Sequence, residues 1–232
     1  MSALRSRPPA PAASPLVIWG AGGHAKVVAD IIRLRGEYVI AGFLDDVASE
    51  SSPGEFLDAP RYFGLEGLER FQSEGVRFLL MGFGDCHARL ERGRAARARG
   101  WSFATALHPS AVVAASVEVG VGTVVAAGAV INPEVRLGEH VIVNTSASVD
   151  HECVIEDAAH ISPGVRLAGR VTVGRAAWIG MGATILPRVR IGADSEIGAG
   201  SLVLRDVPDG MVAFGSPARV VRPRTISPGS SP

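Results

Sequence analysis

The sequence predicts two folds in series: a small α/β domain built on a parallel sheet, then a β-solenoid. Two observations carry this. Up to about residue 108, short apolar runs alternate with amphipathic stretches of helical period. Beyond it the helical period disappears and a period of six takes over.

The first fourteen residues, MSALRSRPPAPAAS, are rich in Pro and Ala and lack an apolar core, so they do not read as a signal peptide. Leu16 to Trp19 is a short strand that stops at Gly20. Residues 24–35 (HAKVVADIIRLR) form a helix with Val27, Val28, Ile31 and Leu34 predicted on one face. Val39 to Leu44 is a second strand, closed by Asp45 and Asp46. Leu65 to Phe71 reads as a short helix, Val76 to Met81 as a third strand, and His87 to Arg99 as a helix. Its arginines (ARLERGRAARARG) are expected on a solvated face. Strands alternating with helices imply parallel pairing through crossovers.

From Ala111 the chain divides into sixteen hexads, among them VRLGEH, VIVNTS, ASVDHE, CVIEDA, AHISPG and VRLAGR. The third column, from Val113 to Val203, is aliphatic in all sixteen, and the first column holds only Ala, Val, Thr, Ser and one Cys. Chance does not keep sixteen hexads in phase. The physical reading is a triangular coil in which the aliphatic third residue points inward and the small first residue fits beside it. Gly and Asn in the fourth column (Gly120, Asn132, Gly138, Asn144) are expected at bends that need unusual backbone angles. The domains are therefore expected at 15–108 and 109–222, with disordered tails at 1–14 and 223–232.

Composition narrows the function. With 23 basic and 23 acidic residues the net charge is zero, so no electrostatic footprint for nucleic acid or a membrane surface is expected. No apolar run reaches the ~18 residues of a membrane span, and a cytoplasmic protein is the expectation. Cys86 and Cys153 are too few and too far apart for a disulfide framework or a zinc site. Cys153 occupies an inward column and should behave as a small hydrophobe.

The outward columns hold the chemistry. Asn144-Thr145 is followed by Asp150-His151-Glu152, which sets a histidine between two carboxylates on a solenoid face. His160 is a second outward histidine, while His140 beside Glu139 reads as an ordinary polar corner. In the first domain Gly20-Ala21-Gly22-Gly23-His24 follows a strand and opens a helix, where glycines let a helix N-terminus approach a phosphate. The third glycine of a dinucleotide fingerprint is missing, so the stretch matches an NAD motif poorly.

The in-phase hexads resemble the hexapeptide-repeat acyltransferases, whose solenoids are left-handed parallel β-helices. G-A-G-G-H-A-K-V-V ahead of them, with NT and DHE within them, resembles the sialic acid O-acetyltransferase and bacillosamine (UDP-4-amino-sugar) N-acetyltransferase family. That resemblance implies an acetyl-CoA-dependent N-acetyltransferase for a nucleotide-linked 4-amino-6-deoxy sugar, acting by direct attack with His151 as general base and Glu152 as its partner. It implies substrate contacts from Gly22, Gly23, His24, Asp45, Asp46, Asn144 and Thr145. It places acetyl-CoA against His160, Gly180, Gly182, Gly198 and Arg219, the last in FGSPAR. It further implies a homotrimer with active sites between subunits, and no metal. Sugar O-acetylation of the sialic acid type is the alternative within the same chemistry. A zinc lyase of the γ-carbonic anhydrase type would need His140, His151 and His160 to converge, and their spacings of eleven and nine fit that poorly. A non-catalytic nucleotide-sugar sensor would not need an intact base constellation.

Overall fold

The structure is a computed structural model that describes residues 13–46 and 54–225. Its first half runs β1 (Ser14–Trp19), α1 (Gly23–Arg35), β2 (Tyr38–Asp45), β3 (Gly54–Phe56), β4 (Ala59–Phe63), α2 (Gly64–Ser73), β5 (Phe78–Met81), α3 (Cys86–Ala98) and β6 (Ser102–Phe103). The sheet order is β3-β4-β2-β1-β5-β6, and all pairs are parallel except β3 with β4. The central strands read as continuous apolar runs (LVIW, FLLM) because both faces of the sheet are covered. Helix α1 packs on one face; α2 and α3 pack on the other, over Val17, Trp19, Leu44 and Leu79. Most of the expected tails at 1–14 and 223–232 lies outside the described residues; Ser14 already belongs to β1 and Pro223 to the last strand.

The second half is a left-handed parallel β-helix of two-residue strands on three faces. Successive coils pair residues eighteen apart, as Val124 with Ile142 and Val125 with Val143. Each strand turns its second residue inward. Val125, Val143, Ile161, Ile179 and Ile197 stack in one row, and the small first-column residues, Cys153 among them, are equally buried. The expectation that the fourth column makes the bends is corrected. The left-handed backbone angles fall in the sixth column, at Glu134, His140, Ser146, Glu152, Ala158, Arg170, Ala176, Arg188 and Asp194, with Gly at 122, 128, 164, 182 and 200. The fourth-column glycines serve close packing instead: a Cβ on Gly180 would lie 2.6 Å from the Ala199 nitrogen of the next coil.

One face of the prism, beginning at Ala106–Leu107, carries the first domain. Its outward residues in successive coils are Ala106, Val124, Ile142, His160, Trp178 and Glu196. The apolar three join the core beneath α1, with Ala25, Val28, Ala29 and Ile32. Helix α1 is thus covered from two sides, by its own sheet and by the solenoid. This rotates its buried face from the expected one: Val27 and Leu34 are exposed, while Ala25, Ala29 and Ile32 are buried with Val28 and Ile31.

Arg89 locks the junction. The expectation of a solvated arginine face is corrected here, because Arg89 is 1% exposed. Its Nε donates to the His140 carbonyl (3.0 Å), NH1 to the Gly84 carbonyl (2.6 Å) and NH2 to the Ala158 carbonyl (2.7 Å). One side chain thereby ties the β5–α3 turn to two corners of the solenoid. His140, expected as a surface corner, is buried in the same junction, edge-on to the Phe103 ring at 4.6 Å. Of the other arginines of α3, Arg92 points outward to Asp46 and Arg97 to Glu139.

The junction predicts acid sensitivity. Burial, reinforced by the Arg89 charge, pushes His24 to about 4 and His160 to about 3; burial likewise brings His140 to about 4. These groups are neutral in the fold and ordinary in the unfolded chain, so the unfolded state binds more protons below pH 6.5. Stability is complete above that pH, falls as pH drops below it, and levels off once the folded histidines protonate. Each histidine contributes roughly 1.4 kcal/mol per pH unit. The thermal midpoint should therefore fall by on the order of 10 °C between pH 7.5 and 5.5, measured by calorimetry. A flat profile across that range would mean that the histidines are not buried as described.

Candidate active site

His151 closes the strand Ser148–Val149 and stands exposed at a corner. Its orientation is built from three sides. The Asp150 carboxylate accepts the His151 backbone N–H (2.7 Å) and the Asn132 amide (3.0 Å), which fixes the corner. The imidazole lies against Gly169 in the next coil, where a Cβ would come within 2.5 Å of Nε2. Any side chain at 169 would displace the ring. Nδ1 meets Glu152 Oε2 at 2.8 Å.

A carboxylate can only accept, so Nδ1 carries the proton and Nε2, beside Gly169, keeps its lone pair. Glu152 is held below the usual carboxylate range first by the Arg170 guanidinium, then by His151. Arg170 Nε reaches the same Oε2 at 2.9 Å. Asp150 is also lowered, chiefly by the backbone N–H it accepts. The corner can therefore accept a proton at Nε2 and stabilise the imidazolium that results.

A second cluster forms where the first domain meets the solenoid. Gly22 caps α1 without a side chain, and a Cβ on Gly22 or Gly23 would meet open space, so the first N–H groups of the helix are unobstructed. His24 follows, its Nε2 buried and unpartnered, with its ring 6.3 Å from that of His160. An orphaned buried nitrogen beside an open helix N-terminus is a cradle for an anionic, hydrogen-bonding ligand. Asn144 Oδ1 accepts from the Thr145 N–H (2.8 Å), which turns its amide nitrogen toward His160 Nε2 (3.2 Å).

Several expectations change. His160 donates from Nδ1 to the Gly84 carbonyl (3.3 Å) and accepts at Nε2 from Asn144, so both ring nitrogens are engaged within the chain. Within one chain it therefore links the β5–α3 turn to the solenoid. The backbone N–H groups of Gly180, Gly182, Gly198 and Gly200 are all consumed in the coil ladder, bonded to Ile197, Pro163, Ala213 and Met181. Gly182 and Gly200 are exposed with open space above them, whereas Gly180 and Gly198 are overlaid by the next coil and by Phe214. Asp46 is braced by Trp19 Nε1 and Arg92, and Asp45 faces Arg61 at 3.6 Å. Arg219 is on the terminal hairpin, paired with Phe214. Burial pushes the Cys153 thiol up to about 11, which removes it as a nucleophile at neutral pH.

Within one chain, the His151 corner and the His24–His160 cluster do not meet. The first lies beyond the second face of the prism, the second on the face that carries the first domain. Two residues of the His151 corner escaped the sequence reading. Gly169 and Arg170 lie eighteen places after His151 and Glu152, and adding one coil to each residue of interest would have found both.

Residues 15–92 match the PglD N-terminal domain, and residues 170–205 match the bacterial transferase hexapeptide (six repeats). Among solved structures the chain is similar to PerB from Caulobacter crescentus in complex with CoA and GDP-perosamine. The TM-score is 0.84 at 41% identity, covering 90% of this chain and 98% of that one. It is similar to a perosamine N-acetyltransferase of the same organism in which asparagine replaces one histidine, also with CoA and GDP-perosamine. There the TM-score is 0.85 at 41% identity over 90% and 97% of the two chains. The acetyltransferase domain of PglB from Neisseria gonorrhoeae in complex with acetyl coenzyme A matches with a TM-score of 0.83 at 34% identity, over 90% and 100%. No curated protein matches the chain.

Proposed function

The chain belongs to the hexapeptide-repeat sugar acetyltransferases with a PglD-type first domain, and on that premise we propose that it moves an acetyl group from acetyl-CoA to the amino group of a nucleotide-linked 4-amino-6-deoxy sugar. It is an acyltransferase. The observation that carries the reading is the His151–Glu152 pair at 2.8 Å, with Nε2 free to take a proton. A thioester is already activated, so no covalent enzyme intermediate is needed. The amine attacks the thioester carbonyl, Nε2 removes its proton, and the C–S bond breaks as the new C–N bond is completed. The thiolate that leaves is protonated in turn, by the imidazolium or by water.

The glycine turn before α1 and the unpartnered His24 Nε2 suit a diphosphate-linked substrate. Because one chain keeps the two clusters apart, a complete site requires the base corner of one copy to face the junction of another, which supports a homotrimer with shared sites. The domain limits proposed for this division of labour are 15–108 and 109–222. Among the described residues no helix is long and apolar enough to cross a membrane. The zinc-lyase reading has lost its geometry: His140 and His160 are buried in the junction, and His151 is at an exposed corner.

The test is thiol release from acetyl-CoA with GDP-, UDP- and dTDP-linked 4-amino sugars, and with sialic acid as the hydroxyl acceptor. Turnover is expected with an amino sugar, GDP-perosamine being the first to try because two similar structures contain it. Turnover with the hydroxyl acceptor alone would overturn N-acetylation. In the same assay Glu152→Ala should lower kcat by roughly tenfold and move the acid limb of its pH profile downward, since loss of the carboxylate makes imidazolium harder to form. An unmoved limb would remove Glu152 from the partner role.

A further inference from the structure

The sixth column of one corner stacks Ser116, Glu134, Glu152, Arg170 and Arg188 along the axis, and a polar groove of about 380 Å³ runs beside it. Within that stack one contact bears on the chemistry. Glu152 Oε2 accepts from His151 Nδ1 at 2.8 Å and from Arg170 Nε at 2.9 Å, so a single oxygen serves two donors. The backbone makes this arrangement reproducible. Glu152 and Arg170 occupy the same left-handed corner in consecutive coils, and the Arg170 N–H donates to the His151 carbonyl at 2.9 Å.

We propose that Arg170 is a positioning residue for the transfer, fixing the Glu152 carboxylate against Nδ1 and sharing its charge, so that the His151 ring is held in one orientation. The proposal rests on His151 being the base. Two donors on one oxygen hold a carboxylate far better than one, because an exposed glutamate otherwise samples several rotamers. Each donor also weakens what the other receives, since the negative charge is shared. The remaining charged groups around the imidazole are few. Asp150 is committed to the His151 backbone N–H and to Asn132; Glu134 stands one coil before Glu152 at the same corner, with Glu118 and Arg136 lining the groove on that side, and Arg188 stands one coil beyond Arg170.

The sign separates this role from simple stabilisation. Losing Glu152 moves the acid limb of the kcat profile to lower pH; losing Arg170 should move it to higher pH, because the carboxylate then acts on the imidazolium undivided. Arg170→Ala is expected to lower kcat by roughly three- to tenfold, with the limb raised by about half a pH unit. The KM values for both substrates should stay within about twofold. Arg170→Lys keeps the charge and should restore most of the limb position.

In a Glu152→Gln background, Arg170→Ala should change kcat by less than about twofold, since the group it acts through is gone. An equal loss of kcat in both backgrounds would overturn the proposal. So would an unchanged kcat and limb, or a rise in KM at constant kcat, which would make Arg170 a ligand contact. A His151→Ala enzyme with the wild-type rate would overturn both this and the base assignment, whereas an inactive His151→Ala enzyme beside an unaltered Arg170→Ala enzyme would overturn this proposal alone.

Discussion

Replacing His151 with alanine should lower kcat by roughly two to four orders of magnitude, while the thermal midpoint stays within a few degrees of wild type. The two halves of this result have one cause. The side chain is exposed, and its contacts are Glu152 and the face of Gly169, so its removal opens no cavity in the prism core. The same exposure leaves Nε2 available to an incoming amine. Without a base the reaction depends on amine already deprotonated in solution, so the residual rate should climb steadily with pH instead of reaching a plateau. The KM for acetyl-CoA should change little. Steady-state kinetics from pH 6 to 9 would decide the matter: a variant with wild-type kcat at neutral pH would exclude His151 as the base.

Arg89→Met should be the most damaging single change to the fold. Three carbonyls, of Gly84, His140 and Ala158, receive their short hydrogen bonds from one buried guanidinium. Methionine fills much of the volume and donates nothing. The Gly84 carbonyl keeps the His160 N–H, but those of His140 and Ala158 lose their donor; leaving such groups buried and unpaired costs about 1–3 kcal/mol each, offset in part because the arginine charge no longer has to be desolvated. A net loss of about 3 kcal/mol is expected, a fall of roughly 6–12 °C in Tm. The acid sensitivity of the junction should weaken in parallel, because the charge that helps depress His24 and His160 has gone. A midpoint within about 2 °C of wild type would mean that water or a local shift satisfies the carbonyls.

The legibility of the sequence follows from where each structural cause resides. The repeat of the solenoid was legible because each coil imposes the same steric requirement, so Val125, Val143 and Ile161 report one another. The bends were misplaced because glycine is as common in the fourth column as in the sixth, and the rest of the sixth includes Glu, Ser, Ala and Arg, which do not announce a left-handed angle. The hairpin from β3 to β4 went unread for a similar reason: its turn puts Leu57 and Asp58 at positive φ where Asn-Gly would have announced it.

Contacts between distant segments were least visible. Arg89 stands in an arginine-rich helix, and His140 lies fifty-one residues further on; nothing local says that they meet. Likewise the buried face of α1 is set partly by Val124 and Ile142, which no helical wheel contains. His151 and Glu152 were legible because they are neighbours in the chain, and Arg170 was not because it is a neighbour only through the coil.

The coil spacing that joins Glu152 to Arg170 also restricts how this chain can change its length. Because outward residues repeat every eighteen positions, six inserted residues would carry everything downstream to the adjacent side, and one or two would turn inward groups to solvent. Only a full coil is silent to packing, and even that is positional. Added beyond Glu196 it would extend the barrel past the junction. Added between Val125 and Ile142 it would slide Ile142 and His160 about 4.8 Å along the axis, away from α1 and Gly84. Tolerated insertions should therefore come in eighteens and gather toward the C-terminal end, leaving the coils that seat the first domain at constant length.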